Sequence, residues 1–559
     1  MRKRNKMGQN EAGQKELSYH IFLFPFKWDY KASQKDFEDI AFERRTDIDA
    51  FAGLLQNPHW QRKPFTIDKA QDYNEFIYFY DFVRDALFDS GKETVLQQYE
   101  YEYNIFKESK YVIHLKDGST YELNIDKILL NVYTTGVGIL SYHLKNNKEN
   151  YGDISDILRI NEFGRRIYPQ FLDEKDFTNT TKKAFLADRI EVFIDEEQTF
   201  IENFTYFDSL KHVQENPGKL SDTIMGLLGD RFFTKKEKTQ KGDIYIEPLV
   251  DDRMFVMCWY ADDKLCAELA KYKKRRESYN YTSNDDWYKF LFVDTKETTC
   301  KSIAMKEELL KAHTYDRWID KKYGTLFGYS RYSFVVLTTK GNILALQHLK
   351  TMYFRMVNLV LVQRASILRF SHEVTHISAL KKAKDTTKRI SHLYERYIRF
   401  VNKVYFREVT AQEQGIELYD RIVQVIKIER DVKDLNREID ELHQYASLLE
   451  DKRKSNQLHI LTVLGALFLV PAFLTGFFGM NIFSRKMEVI DPVKYSFIVG
   501  GIFLIPILLL TWLFLKDRWK DERMSVLRKI VLFAIPILVL LMVLFLVLGI
   551  DIFFTGVGP

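Results

Sequence analysis

Cysteine is scarce: Cys258, Cys266 and Cys300 are the only three in 559 residues. They are too few and too widely spaced for a zinc site, and they suit reduced cytosolic thiols. An excess of one charge sign is also lacking. The 82 Lys and Arg against 77 Asp and Glu leave a net charge of +5, which gives no sign of a large face for DNA or RNA. There is no internal repeat and no low-complexity segment. The basic start, Met1-Arg2-Lys3-Arg4-Asn5-Lys6, is not followed by an apolar h-region, so no cleavable signal peptide is expected. The most informative absence is local. Ile460 to Phe478, Tyr495 to Leu515 and Ile530 to Ile550 contain no charged residue.

Each of these runs is about the twenty residues needed to cross ~30 Å of hydrocarbon. In lipid the backbone must satisfy its own hydrogen bonds, so the runs are expected to be membrane helices, at about 458–478, 495–515 and 530–550. Lys452, Arg453 and Lys454 precede the first run. Lys516, Arg518, Lys520, Arg523, Arg528 and Lys529 lie between the second and third. The loop after the first run has only Arg485, Lys486 and Lys494. Basic residues favour the inner side, which places the N-terminal part in the cytosol and that loop and the C-terminus outside a bacterial inner membrane.

The first run continues into Gly479-Met480-Asn481. The stretch LTVLGALFLVPAFLTGFFGMN (Leu461 to Asn481), with Pro471, Phe473 and Gly476, resembles the first membrane helix of the CorA superfamily of divalent-cation channels. Lys516, Arg518 and Trp519 resemble that family's basic ending. The outer loop, IFSRKMEVIDPVKY, departs from the family's Met-Pro-Glu-Leu pattern, with Glu488 and Asp491 as its only acids, and the third span is extra. The resemblance implies a homopentamer in membrane lipid with the first helices around one pore. Gly479 would permit a tight turn. Asn481 amide oxygens would hold a cation such as Mg²⁺ through its water shell. Ala472, Leu469, Leu461 and Leu458 would face the axis, with the leucines as a hydrophobic gate.

Upstream, Val425, Ile428, Val432, Leu435, Ile439, Leu442, Ala446 and Leu449 alternate three and four apart, the pattern of a coiled-coil seam. With no proline or glycine between Ile416 and Leu464, a single helix from about Gln412 to Thr475, roughly 95 Å long, is expected. Strand signals dominate the first third. They include Tyr19 to Phe26, a hairpin of Tyr111 to Leu115 and Tyr121 to Ile125 around Lys116-Asp117-Gly118-Ser119, and Asn131 to His143. Arg189 to Ile194, Asp243 to Glu247 and Arg253 to Trp259 are further strands. Asn74 to Asp89 reads as a helix, and from about Asn342 the chain is helical. Leu359 to Phe370, interrupted by Gln363, Arg364 and Arg369, reads as a buried helix rather than a fourth span. The expected fold class is an α/β cytosolic domain (1–340), long stalk helices (341–457) and a C-terminal α-helical transmembrane bundle (458–559).

His372-Glu373-Val374-Thr375-His376 has the H-E-x-x-H spacing that puts two imidazoles on one helix face for zinc, with the glutamate as base. A membrane metalloprotease is therefore an alternative, although no clear third ligand follows. Three basic and aromatic clusters could take an anion: Arg165, Arg166 and Tyr168; Arg331 with Tyr323 and Tyr332; and Lys273 to Arg276 with Tyr279 and Tyr281.

An N-terminal part far larger than a CorA domain needs, the altered loop and the extra span resemble the CorA-like effectors of type III CRISPR systems. That resemblance implies a non-enzymatic antiviral channel with no required cofactor. A nucleotide second messenger, an S-adenosylmethionine–AMP conjugate, would open it from the cytosolic side. The other alternative is a Mg²⁺ or Co²⁺ transporter closed by cytosolic Mg²⁺, for which Asp251-Asp252 and Glu196-Glu197 are available carboxylate pairs.

Overall fold

The computed structural model describes residues 16–37, 40–55, 59–91, 95–102, 109–168, 186–194, 199–204, 220–250, 253–274, 277–320, 322–378 and 383–479. The chain divides into two compact units, Met1–Ala446 and Ser447–Pro559. The second and third expected spans, Met480, Asn481, the outer loop, Asp251-Asp252 and Glu196-Glu197 lie outside the described residues.

The first unit is organised by Ser18–Tyr30 (β1), of which every residue but the last is buried. Side chains alternate across a strand. Tyr19, Ile21 and Leu23 enter one core, and Phe22, Phe24, Phe26 and Trp28 enter a second core on the other face. A strand covered on both faces favours apolar residues on both, which is why Ile21 to Phe26 shows no polar alternation. Each such buried side chain contributes about 1.5–3 kcal/mol.

Around β1 the mixed sheet uses Lys110–His114 (β2), Thr120–Tyr133 (β3), Val137–Asn146 (β4), Arg189–Phe193 (β5), Thr199–Asn203 (β6), Phe255–Ala261 (β7), Thr314–Trp318 (β8), Thr325–Tyr329 (β9) and Ser333–Thr338 (β10). Its order is β8-β9-β10-β7-β1-β4-β3-β2-β5-β6, with shorter strands attached at β1 and β3. Pairing is antiparallel along this path except between β7 and β10, where Val256 pairs with Ser333. The expected hairpin about Lys116 to Ser119 is present as β2 and β3. Asn131 to His143 is not one strand. It turns at 134–136, where Gly136 has φ +77°, and the two halves pair as β3 and β4. The residues on both sides are strand-formers, so only the positive-φ glycine marks the turn.

Helices cover both faces. Phe42–Arg45 (α1), Phe354–Ser378 (α3) and Ala383–Lys403 (α4) pack on the first core with Glu413–Ile426 (α5), and Ile154–Gly164 (α2) packs on the second. Leu359 to Phe370 is indeed a buried stretch of α3. The expected helix over Asn74 to Asp89 is two, Ala70–Ile77 and Asp81–Leu87. The expected helix from Gln412 is also interrupted. Lys427 adopts a left-handed conformation (φ +67°), its amide donates to the Gln424 and Val423 carbonyls, and a new helix, Ile428–Gly479 (α6), begins. Its 52 residues span roughly 78 Å. The stripe expected to be a coiled-coil seam packs inside its own chain as far as Ala446: Ile428, Val432, Leu435, Ile439 and Ala446 are buried in the first core. A three-four stripe specifies a buried face and leaves the partner open.

Candidate functional site

The last turns of α6 carry the residues expected to line a pore. The helix ends at Gly479, the first residue of Gly-Met-Asn. Leu458, Leu461 and Leu469 are 64%, 63% and 68% exposed, and Ala472 is exposed as well. At about 100° per residue, the four positions fall within roughly 80° of arc, so they form one stripe. Among the described residues no helix is long and apolar enough to cross a membrane. Within Ile460 to Phe478 the side chains of 466–468, 470, 471, 473–475, 477 and 478 are outside the description. The helical backbone of this run is thus structural, and its continuous apolarity is a property of the sequence.

Glu373, the expected base of the H-E-x-x-H pattern, is committed elsewhere. Its carboxylate accepts from Arg45 Nη1 at 3.0 Å and Nη2 at 2.6 Å, and Arg369 Nη2 lies 3.5 Å away. Asp29 completes the group: Arg369 reaches its two oxygens at 2.9 and 2.5 Å, and Arg45 reaches it at 2.9 Å. All four side chains are buried. Burial raises both carboxyls, but the two guanidinium groups outweigh it. The Asp29 carboxyl falls to about 2, and that of Glu373 falls below its usual range. A carboxylate so held is a poor proton acceptor. Among the described residues no three His, Cys, Asp or Glu side chains group as metal ligands. Glu373 thus joins α3 to β1 and α1 instead of standing free as a base, while His372 is exposed and His376 half-buried on α3.

The basic clusters are closer together than their sequence separation suggests. Arg165 and Arg166, at the end of α2, both turn onto buried Glu162, with Arg165 Nη2 at 3.0 Å and Arg166 Nη2 at 2.7 Å. They are buried, so they do not form an open fork on the surface. Arg165 also donates to the Val293 carbonyl at 3.3 Å, while its Nε and Nη1 have no partner among the described residues. Burial pulls its guanidinium below the ordinary arginine range, and Arg166 and Arg253 add to this against the pull of Glu162. Arg166 bridges to Arg253, whose guanidinium lies 4.4 Å from the Tyr332 ring centroid. Arg364 lies 5.5 Å from that ring and donates to the Arg331 carbonyl at 2.8 Å. Arg331 itself is exposed, and Tyr168 is partly buried. The sequence marks Arg364 only as an interruption of a buried helix and Arg253 only as the start of a strand, because nothing local assigns a lone arginine its partner. Lys273 ends a two-residue strand, and Arg275 and Arg276 lie outside the described residues.

No curated protein and no solved structure matches this chain. Residues 362–518, from within α3 through all of α6 and beyond, match the family described as "CorA-like Mg2+ transporter protein", and the chain therefore carries a CorA-like domain there.

Proposed function

We propose that the chain is a CorA-type membrane channel for cations, assembled as a homopentamer and gated by a ligand on its cytosolic α/β domain. The observation that carries the reading is the family match at 362–518, which takes in the helix ending at Gly479. The uncharged runs supply the membrane segments, and the exposed stripe of Leu458, Leu461, Leu469 and Ala472 supplies a pore face. Met480 and Asn481 follow as the mouth that holds a hydrated cation. In the finer form of the proposal the chain is a CRISPR type III antiviral effector. An S-adenosylmethionine–AMP conjugate binds the cytosolic domain more tightly in the open state and so shifts the pore equilibrium.

The test is cation flux into liposomes holding the purified full chain and a Mg²⁺ indicator. Flux that rises on adding the conjugate supports the effector reading. The printed description of the matched family favours a second reading, a Mg²⁺ or Co²⁺ transporter closed by cytosolic Mg²⁺. That reading requires flux without any nucleotide and its suppression by internal Mg²⁺. Absence of flux under both conditions removes the channel proposal.

A further inference from the structure

One face of α4 presents three cations at helical spacing, Arg396, Arg399 and Lys403. They line a cavity of about 150 Å³ with Phe42, Phe370 and Phe400. These rings are buried and pack on one another beneath the cavity: the centroids of Phe42 and Phe370 are 5.8 Å apart, and those of Phe370 and Phe400 5.5 Å. Thr134 and Thr135, at the turn between β3 and β4, bring hydroxyls to the same space, and none of the lining residues is acidic. A second, more polar cavity of about 700 Å³ shares Thr134 and Arg396 and adds Arg44, Arg62 and Gln97 on the cation and amide side, with Glu43, Asp47 and Asp49 opposing them.

The cations are only lightly committed. Arg396 pairs with Glu43 at 2.9 Å and Arg399 with Glu395 at 2.7 Å, and both carboxylates are more than half exposed. Such pairs contribute little and exchange readily for a better anion. Lys403 has no carboxylate partner among the described residues. Two lightly paired arginines and a lysine beside a cavity without acidic lining are the chemistry that takes a phosphate. The larger cavity, which shares Thr134 and Arg396, leaves room for the rest of the ligand.

The same helix has a second attachment. Tyr397 Oη donates to the Val432 carbonyl of α6 at 3.4 Å, and the Tyr394 ring stacks on His443 of α6 at 4.3 Å. These contacts use another face of α4, turned away from the cations. A ligand that draws Arg399 and Lys403 inward therefore acts on a helix packed directly against the start of α6.

We propose that the cavity between α1, α4 and the β3–β4 turn is the site of a phosphate-bearing ligand, with Arg396, Arg399 and Lys403 holding phosphate and α4 passing the occupancy to α6. The proposal rests on the ligand-gated reading above and gives it a location. The test is calorimetric titration of the detergent-purified full chain with ATP and with the S-adenosylmethionine–AMP conjugate, and with adenosine and inorganic pyrophosphate as half-ligands. Wild-type protein is expected to bind the nucleotides and pyrophosphate more tightly than adenosine, and adenosine binding as tight as ATP would overturn the phosphate site. The exposed-site double variant Arg399→Glu/Lys403→Glu is expected to lose at least roughly tenfold in affinity, as removal of charge-assisted contacts does, with an unchanged melting temperature. Lys311→Glu, at an exposed position outside either cavity, is expected to bind as wild type. Nucleotide binding undiminished in the double variant overturns this site and leaves the nucleotide-gated reading standing. A folded wild-type chain that binds neither nucleotide overturns both.

Discussion

Arg45 and Glu373, 328 residues apart in the chain, meet as a bidentate pair in the buried interior. With Asp29 and Arg369 they tie the first strand and the first helix to α3, in which the CorA-like region begins. Two acids and two arginines balance in charge, so the group is stable only when complete.

Glu373→Gln removes one anion and leaves two buried guanidinium groups facing one carboxylate. A loss of about 3–5 kcal/mol is expected, because breaking a buried pair strands a charge. Denaturant melts of the solubilised chain measure it. Zinc content should be the same in the wild type and in His372→Ala/His376→Ala, and bound zinc that is lost in that double variant would restore the metalloprotease reading.

The same group sets an acid limit. The folded Asp29 carboxyl sits at about 2, against 3.8 in the unfolded chain, and Glu373 is also lowered. Their contribution is fully present above about pH 4–5 and is lost as the pH falls toward 2, since the unfolded chain takes up protons first. Melting temperatures of the wild type should fall across that window, and those of Glu373→Gln should fall less steeply.

His20 acts higher on the scale. Fully buried between Asn161 Oδ1 at 2.7 Å and Ser18 Oγ at 2.8 Å, it falls from 6.5 to about 4. Below pH 6.5 the unfolded chain binds a proton that the folded chain refuses until about pH 4. Stability thus declines through that interval by on the order of 3 kcal/mol. Buried His143, also lowered, adds to the slope. His20→Gln should remove one proton's worth of the dependence, which melts at pH 7, 6, 5 and 4.5 would show.

Gly136→Ala tests the turn that divides the expected strand over 131–143. Its φ is +77°, and a Cβ there would lie 2.6 Å from Thr46 Cγ2. A loss of roughly 1–3 kcal/mol is expected from the clash and the backbone together. Thr46→Ser removes the methyl while keeping the hydroxyl that donates to the Phe42 carbonyl. The double variant should therefore recover part of the loss, and recovery of none would place the whole cost in the backbone.

The channel proposal makes its own demand. Leu461→Ser should raise resting flux in the liposome assay by on the order of tenfold, because it wets a hydrophobic constriction. Asn481→Ala should weaken discrimination for divalent cations. Unchanged flux in both would detach the stripe and the motif from conduction.

What the sequence determined on its own is local. Freedom from charge over Ile460 to Phe478, the basic residues flanking it and the Gly-Met-Asn that ends it fix the character of the C-terminal region, since hydropathy and charge act residue by residue. The strand at Tyr19 and the hairpin at Lys116 were legible because period, β-branching and turn chemistry are local as well. Tertiary structure decided the rest. No glycine or proline announces the break at Lys427; a lysine takes the left-handed turn because the helices on both sides bury their apolar faces in one core. The heptad stripe is filled by its own chain because burial has no preference for a partner's identity. Glu373 reads as a catalytic base beside two histidines and becomes a structural anion only when Arg45 arrives from the far end of the domain. The cations at 396, 399 and 403 read as a solvated helix face, and only the tertiary structure sets them at the rim of a cavity with Phe42 and the β3–β4 turn, because a cavity is a property of several segments and is written in none of them.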